Sequence, residues 1–360
     1  MRDLRPVILA IGLFLGLASG GCALTGEGQM KTPSGAGIVR LEGAQFEAFP
    51  LPDYAKAALR RDYKSYLVEV EPGIKVHVLE SGSGYPIYAQ HGAPTSGWLY
   101  RKVAEALPQD RFRVIMPTMV GLGFSSKVPA SEHTLENHAR WMANLLTQLE
   151  LEGAIFVGHD WGGPVGMGAL VRVPDVLEGA VILNTVLTAP TEPRKFPLPL
   201  RMASTPVLGE IVFERLVSVF SQLPKQQFDP DSMPPEVVEL YERPVVDSGN
   251  SKGVLAILRM SADGPDHPTA AEVRRIEAYI DSRDFAAEIV WGMQDQILGA
   301  RLDEMIELIP NAAVTRVESG HFIQEEAPEA IADALVRVLS RIEARAEKQE
   351  KQEKQEMKEK

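Results

Sequence analysis

Short apolar runs recur along the chain and alternate with segments that have helical periodicity. Eight of these runs have the length and composition of strands: residues 66–70, 74–79, 86–90, 112–116, 154–158, 180–184, 287–292 and 313–317. Several are apolar throughout, as are strands that are buried on both faces of a parallel sheet. Between them, residues 135–149, 304–309 and 327–342 place apolar side chains on one helical face. The alternation predicts an α/β fold with a mostly parallel, doubly wound sheet.

The alternation is interrupted between residues 186 and 285. This stretch is rich in proline and contains helix-like pieces at 212–223 and 235–241, but it has no apolar run that reads as a buried strand. A strandless insertion between two core strands is typical of a helical cap that lies over a sheet. We therefore expect a core formed by residues 46–185 and 286–345, with a cap at 186–285 after the sixth predicted strand.

The first 22 residues have the features of a targeting peptide. Arg2 and Arg5 form a basic start, and the apolar run at 7–18 is shorter than the roughly 20 residues of a membrane span. The run ends in small residues and Cys22, which resembles a bacterial lipoprotein signal, although Ser19 stands where such signals usually carry leucine. A cleaved signal peptide and an uncleaved anchor are the alternatives. All three predict export to the bacterial cell envelope or periplasm, and the first predicts a lipid anchor on Cys22.

Two polar segments flank the predicted domain. Residues 23–45 are rich in glycine, serine, threonine and proline and lack periodicity, so we expect a flexible tether. Residues 346–360 repeat a charged triplet without an apolar face. This pattern predicts a solvated helical extension or a frayed tail.

Charge and cysteine content exclude several classes of protein. The chain has 37 Lys and Arg residues against 49 Asp and Glu residues, a formal net charge of -12. Such an acidic chain lacks the basic patches that nucleic acid requires, so we expect no nucleic-acid partner. Its single cysteine excludes an intrachain disulfide and any cysteine-rich metal site. His77, His133, His138 and His267 have no metal-ligand spacing, and we expect neither a metal nor another cofactor.

The most informative window is residues 154–163, where an apolar strand runs into the sequence Gly-His-Asp-Trp-Gly-Gly. A glycine two residues to each side of Asp160 permits a sharp strand-to-helix turn, because the close flanking backbone leaves no room for a Cβ atom. Such a turn raises its central side chain above the sheet and beside a helix N-terminus. An N-cap role is the alternative for an aspartate at a helix start. His159 is expected to pack or hydrogen-bond beside the turn, and not to act as an acid or base.

Three further motifs follow predicted strands. The sequence His-Gly-Ala-Pro-Thr at 91–95 follows one strand, Asp295 follows another, and His321 follows a third. Polar residues at the carboxyl ends of strands are where catalytic groups gather in open α/β sheets. A turn carboxylate, a second carboxylate and a histidine in this chain order favour nucleophilic catalysis. The second acid could instead follow the sixth predicted strand, but Asn184 stands there, which supports Asp295.

These motifs resemble those of the haloalkane dehalogenase and epoxide hydrolase branch of the α/β-hydrolases, over about residues 66–342. The closest likeness is to haloalkane dehalogenases. The resemblance implies that Asp160 attacks an electrophilic carbon of a small apolar substrate and forms an ester that water then hydrolyses. It implies that His321 activates the water and that Asp295 orients the imidazole. It also implies an oxyanion hole formed by the main-chain N–H groups of Ala93 and Trp161.

The leaving group divides the candidate functions. Haloalkane dehalogenases usually hold the departing halide with two side-chain N–H donors, and the resemblance assigns the first to Trp161. The usual second donor is missing, because Ala93 stands where an asparagine is common and the predicted cap contains no tryptophan. Trp98 is a candidate replacement, for which core packing is the favoured alternative. Hydrolytic dehalogenation is nevertheless the favoured interpretation.

Epoxide hydrolysis with the same three residues is the alternative function. It needs a proton donor for the epoxide oxygen, for which Tyr241 and Tyr279 in the predicted cap are candidates. Tyr241 also fits a structural role. A third hypothesis is a binding protein that keeps the fold without turnover, against which the intact Asp160, Asp295 and His321 argue. A serine esterase is disfavoured because no serine occupies the turn.

Overall fold

The computed structural model describes residues 27–41, 43–196, 201–203, 205, 208–212 and 218–359. The predicted leader at 1–22, with Cys22, lies outside these residues. Within the described ranges, no helix combines the length and apolar character that crossing a membrane requires.

Ten strands of the described chain form one sheet. They are β1 (Ile38–Leu41), β2 (Ala44–Ala48), β3 (Lys64–Glu71), β4 (Ile74–Gly82), β5 (Tyr85–Gln90), β6 (Phe112–Pro117), β7 (Ala154–Gly158), β8 (Leu177–Leu183), β9 (Ala286–Gly292) and β10 (Ala313–Val317). Their order across the sheet is β1-β2-β3-β4-β6-β5-β7-β8-β9-β10. Strands β5 to β10 pair in parallel, and β1 to β4 form an antiparallel extension on one side. The predicted α/β class with a mostly parallel sheet is confirmed.

Helices connect the strands and pack against the sheet. The α-helices are α1 (Asp53–Ala57), α2 (Arg101–Ala106), α3 (Leu135–Gln148), α4 (Gly162–Arg172), α5 (Pro235–Val246), α6 (Lys252–Arg259), α7 (Pro268–Asp281), α8 (Leu302–Leu308), α9 (Ile323–Glu326) and α10 (Pro328–Glu359). Single turns of helix occupy Leu208–Glu210 and the 3₁₀ segments Gly97–Tyr100, Ala130–Glu132, Pro174–Val176, Phe220–Gln226, Pro230–Ser232 and Gly299–Arg301.

Helix α3 illustrates how local sequence specifies these elements. Thr134 is its N-cap, and the Thr134 hydroxyl accepts a hydrogen bond of 3.1 Å from the main-chain N–H of Asn137. This bond satisfies one of the free donors at a helix start. The predicted apolar face, which includes Trp141 and Leu145, is fully buried. Cap chemistry and periodicity therefore agree at this helix, as they do in sequences that fold to one structure.

All eight predicted strands are present, each within a few residues of its expected bounds. The central strands β7 and β9 are buried along their whole length. Continuous apolar runs are the strongest sequence signal for strands that are covered on both faces, which explains the agreement. The sheet also contains two strands that the sequence analysis did not predict, β1 and β2.

The expectation of a flexible tether at residues 23–45 is wrong for the described part of that segment. Lys31 forms an isolated β-bridge with Lys127, and β1 and β2 pair with each other and, through β2, with β3. Ile38 in β1 is 59% exposed. Edge strands of this kind are held mainly by main-chain hydrogen bonds, so neither composition nor apolar periodicity reveals them.

The insertion between β8 and β9 contains helices α5 to α7 and, within its described residues, no strand. It follows the sixth of the predicted strands, which is β8 once β1 and β2 are counted. Of the helix-like piece at 212–223, residues 213–217 lie outside the described chain. The charged segment near the C-terminus continues helix α10 to Glu359, and its residues 346–358 are exposed.

The parallel strands bring the candidate chemistry to one edge of the sheet. Strand β5 ends at Gln90, β7 at Gly158, β9 at Gly292 and β10 at Val317. The carboxyl ends of parallel strands lie at the same edge, so the segments that follow these four strands meet there.

Candidate active site

Asp160 lies on the tight turn between β7 and α4. Its φ angle is +51°, in the left-handed region that few residues other than glycine adopt. Hydrogen bonds to the main chain of Asp160 hold this conformation. The Asp160 N–H donates to the Asn184 carbonyl oxygen at 2.9 Å, and the Thr185 hydroxyl donates to the Asp160 carbonyl oxygen at 2.6 Å. Strained backbone that is restrained from several sides is a common feature of functional sites.

The glycines of this turn are required by close packing, as the sequence predicted. A Cβ atom on Gly162 would overlap the carbonyl oxygen of Gln90, and one on Gly163 would lie 2.9 Å from Thr185 Cβ. Both distances are shorter than real Cβ contacts. Helix α4 can therefore begin directly behind Asp160 only because these positions lack side chains.

The Asp160 carboxylate is held by main-chain donors. Its Oδ1 accepts a hydrogen bond of 3.0 Å from the Ala93 N–H, and the Trp161 N–H is a second main-chain donor. Burial raises the pKa of Asp160, and nearby His321 and the two N–H groups only partly oppose this. The resemblance assigned these two donors to an oxyanion hole, and both bind the turn carboxylate.

The peptide that carries the Ala93 N–H is fixed from its other side. The Gly92 carbonyl oxygen accepts hydrogen bonds from the Thr95 hydroxyl and from His91 Nδ1, both at 2.8 Å. His91 Nε2 accepts from the Met119 N–H at 2.9 Å, which assigns the ring proton to Nδ1. Because the C=O and N–H of a trans peptide point in opposite directions, these bonds aim the Ala93 N–H at Asp160. Burial lowers the pKa of His91 to about 4, so its ring is neutral and structural.

Gly92→Ala is predicted to damage activity more than stability. A Cβ atom at Gly92 would lie 2.8 Å from Asp160 Cγ and closer still to Cβ and Oδ1. Displacement of a reacting group by about 1 Å costs on the order of 100-fold in rate. We expect kcat/KM to fall by that order in a steady-state assay.

The matched control is Gly264→Ala, whose added Cβ would meet its nearest neighbour, Pro193 Cα, at an ordinary 3.6 Å. Both variants should melt within a few degrees of the parent protein. Equal activity in the two variants would show that the Gly92 contact does not position the carboxylate.

His321 and Asp295 form a buried pair beside Asp160. His321 Nδ1 lies 2.9 Å from Asp295 Oδ2, and His321 Nε2 lies 3.7 Å from Asp160 Oδ2. Asp295 Oδ1 accepts main-chain hydrogen bonds from Ile297 at 2.7 Å and Leu298 at 3.1 Å. The fold therefore brings together the three residues that the sequence singled out.

The pair has complementary shifts of pKa. Burial alone would raise the pKa of Asp295, but His321 and the two main-chain donors reverse this and hold it below its ordinary value. Burial alone would lower the pKa of His321, but Asp295 and, more weakly, Asp160 raise it above its ordinary value. An ionised Asp295 thus accepts from Nδ1 and leaves Nε2 free to take a proton.

Asn184 hydrogen-bonds to Asp295 of this pair, a role that was not predicted from the sequence. Its Nδ2 donates to Asp295 Oδ2 at 2.9 Å and to Gly292 O at 3.0 Å, while its Oδ1 accepts from the Gly292 N–H at 2.7 Å. The side chain thus ties the end of β8 to the end of β9 and donates to the acid. The sequence signal for this role was an amide side chain directly after a buried strand. That position is the one considered above for a second acid in place of Asp295.

His159 holds the main chain of the candidate base. Its Nε2 lies 2.8 Å from the His321 carbonyl oxygen, and the two rings are 4.7 Å apart. Burial lowers the pKa of His159 well below its ordinary value. The ring is therefore neutral and hydrogen-bonds beside the turn, as expected.

Three of the four tryptophans donate their indole N–H to a protein acceptor, and the fourth does not among the described residues. Trp98 Nε1 donates to Ala55 O at 3.3 Å, Trp141 Nε1 to Glu71 at 3.1 Å and Trp291 Nε1 to Gly299 O at 3.0 Å. Trp161 is half-buried, and its indole N–H has no hydrogen-bond partner in the described part of the chain. Core packing is therefore the role of Trp98, and Trp161 keeps a free donor directly after Asp160.

The two candidate tyrosines of the cap point their hydroxyls to other partners. Tyr241 is fully buried, and its hydroxyl donates to Glu325 Oε1 at 2.9 Å. Glu325 in turn forms a bidentate ion pair with Arg101. The Tyr279 hydroxyl donates to the Pro174 carbonyl at 3.2 Å on an exposed surface. Neither hydroxyl is directed at Asp160, and Tyr241 is structural.

Of the remaining histidines, His77, His133 and His138 are buried, and the His267 side chain caps the N-terminus of helix α7. His77 stacks on Trp98 with ring centroids 5.4 Å apart, and His133 Nδ1 lies 3.0 Å from His138 Nε2. Among the residues for which coordinates are described, no group of three or more His, Cys, Asp or Glu side chains is arranged to hold a metal ion.

Comparison with known proteins places this geometry in context. The family model described as the alpha/beta hydrolase fold matches residues 85–328. Haloalkane dehalogenase 2 of Mycobacterium tuberculosis is 28% identical over 272 residues, which is 73% of this chain and 90% of that protein. Bifunctional epoxide hydrolase 2 of Rattus norvegicus is 34% identical over 154 residues, but these are 42% of this chain and 27% of that protein.

Solved structures agree with the sequence comparison. The crystal structure of the haloalkane dehalogenase DatA from Agrobacterium tumefaciens superimposes with a TM-score of 0.69 at 26% identity. The match covers 79% of this chain and 99% of that structure. The likeness to haloalkane dehalogenases thus spans both the core and the cap.

Proposed function

Because the chain belongs to the α/β-hydrolase fold family, we propose that it hydrolyses haloalkanes to an alcohol and a halide through a covalent ester on Asp160. The observation that carries the proposal is the Asp160 carboxylate, which faces the His321–Asp295 pair. Trp161 follows it directly in sequence, and its indole N–H has no hydrogen-bond partner among the described residues. A carboxylate attacks saturated carbon readily, whereas acyl transfer requires a hydroxyl or thiol nucleophile. The similarity to haloalkane dehalogenases over most of the chain supports the same reaction.

In the first half-reaction, Asp160 Oδ2 attacks the carbon that bears the halogen. The carbon–oxygen bond forms as the carbon–halogen bond breaks, and the halide leaves with the bonding electron pair. We assign to the Trp161 indole N–H the donation to the developing halide charge. The Ala93 main-chain N–H holds Oδ1, whereas Oδ2 lies 3.7 Å from His321 Nε2 and is the oxygen that reacts.

In the second half-reaction, water opens the ester. His321 Nε2 takes a proton from the water, whose oxygen attacks the Asp160 carboxyl carbon. Negative charge then develops on Oδ1, where each preorganised donor is worth about 100- to 1,000-fold in rate. Collapse of this intermediate breaks the bond between the carboxyl carbon and Oδ2 of the ester. The substrate carbon leaves with that oxygen as the alcohol, which takes the proton from His321. Asp160 is left as a carboxyl group that carries the second proton of the water, and loss of this proton to solvent regenerates the carboxylate. Asp295 stabilises the imidazolium that forms while His321 carries the proton.

The pH dependence of ester hydrolysis follows from the protonation state of His321. Only the neutral imidazole can accept a proton, so the rate should rise with pH as His321 loses its own proton. Because Asp295 raises the pKa of His321 above its ordinary 6.5, the midpoint should lie above that value. In Asp295→Asn the midpoint should move to lower pH and kcat should fall. A midpoint that does not move in this variant would contradict the role of Asp295.

Epoxide hydrolysis is the weaker candidate. It needs a hydroxyl that protonates the epoxide oxygen, and both candidate tyrosines of the cap are hydrogen-bonded elsewhere. The cap residues outside the described ranges contain no tyrosine. A non-catalytic binding protein would have no need of the hydrogen bonds that converge on Asp160 and Asp295.

A parallel assay distinguishes these candidates. Halide release from a panel of haloalkanes and consumption of a panel of epoxides are measured with the same preparation and with Trp161→Phe. This substitution removes the indole N–H and keeps an aromatic ring, although a smaller one. We expect halide release without epoxide consumption, and a loss of about 10- to 100-fold in haloalkane kcat/KM in the variant, since one donor is lost. Epoxide consumption alone would favour the alternative, and neither product would favour a binding protein.

Export and membrane attachment are proposed on sequence alone, because residues 1–26 lie outside the described chain. We propose that the protein resides in the bacterial cell envelope or periplasm with a lipid on Cys22. Expression in a bacterial host with labelled fatty acid should label the protein but not Cys22→Ser, which should be recovered without the membrane fraction. Equal labelling of the two would refute the anchor.

A further inference from the structure

The loop that carries His321 is hydrogen-bonded to the cap. We call residues 319–322 the base loop. Its His321 N–H donates to the carbonyl oxygen of Gln226 at 2.9 Å, and its Phe322 N–H donates to Gln227 Oε1 at 2.9 Å. Gln227 Nε2 donates back to the Phe322 carbonyl oxygen at 3.1 Å. Residues 226 and 227 follow β8 in the cap, far in sequence from the base loop.

The two backbones approach without intervening side chains. A Cβ atom on Gly320 would overlap the Gln226 carbonyl oxygen and lie 2.5 Å from Gln227 Cα. It would also lie 2.6 Å from the Phe228 nitrogen. Glycine at 320 is therefore required for the cap to reach the main chain of the base loop.

Gln227 makes a two-point contact that matches its chemistry. The side-chain amide of Gln227 has an acceptor oxygen and a donor nitrogen. Here the oxygen accepts from the N–H of Phe322, and the nitrogen donates to the C=O of the same residue. Gln227 is only 6% exposed, and its Nε2 also donates to the Ser232 hydroxyl at 3.1 Å. Loss of the amide would leave the buried Phe322 N–H unpaired, which displaces such segments, whereas the Phe322 carbonyl oxygen would keep the Glu325 N–H at 3.0 Å.

The main chain of His321 is held from two sides. The cap accepts its N–H, while its carbonyl oxygen accepts from His159, the residue before Asp160. The Glu326 carboxylate adds a bridge, since it accepts from the Gly320 N–H at 2.6 Å and from the cap residue Asp229 N–H at 2.6 Å. The main chain of the candidate base is thus hydrogen-bonded both to the turn that carries Asp160 and to the cap.

We propose that Gln227 is a positioning residue through which the cap sets the place of His321 relative to the Asp160 ester. This inference rests on the proposed function. In that mechanism the first half-reaction uses Asp160 and the Trp161 donor but not His321, whereas the second needs His321 to meet a water at the ester. A shift of the base loop should therefore slow ester hydrolysis and leave halide release from the first turnover unchanged.

The test compares two variants, Gln227→Met and Gln222→Met. Gln227→Met keeps the side-chain volume and removes both hydrogen bonds to Phe322. Gln222 lies on the same cap segment and hydrogen-bonds only its neighbours Ser221 and Lys225. In rapid-quench assays, Gln227→Met should release about one halide per enzyme at the parental rate and then turn over about 10- to 100-fold more slowly. Intact mass should show the ester accumulating at steady state. Gln222→Met should behave as the parent.

Hydrogen exchange of the Phe322 amide, measured without substrate, tests the contact itself. Exchange should be faster in Gln227→Met and unchanged in Gln222→Met. Should Gln227→Met fold poorly, Gln227→Glu replaces it, since it keeps the acceptor for the Phe322 N–H and loses the donor. The proposal is overturned by unchanged exchange, by parallel loss of burst and steady-state rates, or by parental kinetics. A parent protein that releases no halide from any substrate would overturn the proposed function, and this inference with it.

Discussion

Asp160→Asn is expected to abolish haloalkane turnover, with a loss of at least about 10,000-fold in kcat, because removing a covalent nucleophile costs rate on this scale. The amide cannot attack the halogen-bearing carbon, and no other described carboxylate occupies the oxyanion hole. Asparagine is the appropriate replacement, since it tolerates the positive φ of +51° at this position better than alanine does. Halide release under saturating substrate is the measurement.

Stability provides the control for this variant. Burial raises the pKa of Asp160, so the folded state binds a proton more tightly at this site than the unfolded chain does. The stabilisation that protonation provides is present at low pH and is lost as pH rises through the folded pKa. At neutral pH a neutral amide should therefore leave the melting temperature at least as high as in the parent. Asp284→Asn, whose side chain is 81% exposed, should retain full activity. Residual turnover in Asp160→Asn near the parental rate would eliminate the proposed nucleophile.

His321→Gln is expected to separate the two half-reactions. Asp160 can still attack, but no base remains to activate water, so the ester should accumulate on the enzyme. Intact mass should rise by the alkyl group of the substrate less one hydrogen, with about one halide released per enzyme molecule. Steady-state turnover should fall by about 1,000-fold or more, at the upper end of the contribution of a general base.

Two comparisons make this result specific. Peptide mapping should place the added mass on Asp160, and the double variant with Asp160→Asn should gain none. His267→Gln, in the cap and away from the site, should turn over normally and accumulate no ester. A His321→Gln protein that neither gains mass nor loses activity would contradict the role assigned to His321.

Residue order along the chain was sufficient to predict eight of the ten described strands of the sheet and the three central residues of the candidate site. Strand β7 is apolar along its whole length and covered on both faces, so its sequence carries a clear signal. Strand β9 has one buried glutamate, Glu288, in an otherwise apolar run. The turn around Asp160 needs glycines at fixed positions, and parallel strands place whatever follows them at one edge. These are local or topological constraints, and they can be recognised before any distance is known.

Other features depend on partners that are distant in sequence. Strands β1 and β2 are held by main-chain hydrogen bonds at a sheet edge, and main-chain bonds leave little trace in composition. Asn184 braces Asp295 across 111 positions of sequence. Nothing near Asn184 in the chain indicates which carboxylate its amide will meet.

The roles of the aromatic side chains were open until their partners were known. Trp98 is of the right residue type for a halide donor, and Tyr241 for a proton donor. Each, however, donates its polar hydrogen to a buried acceptor of the protein. Trp161 keeps its indole N–H unpaired among the described residues. The chemistry available at a position is thus written in the sequence, because it belongs to the side chain and to the local turn. Whether a donor is free, and whether the cap reaches the base loop through Gln227, depends on which distant groups the fold brings within hydrogen-bonding distance.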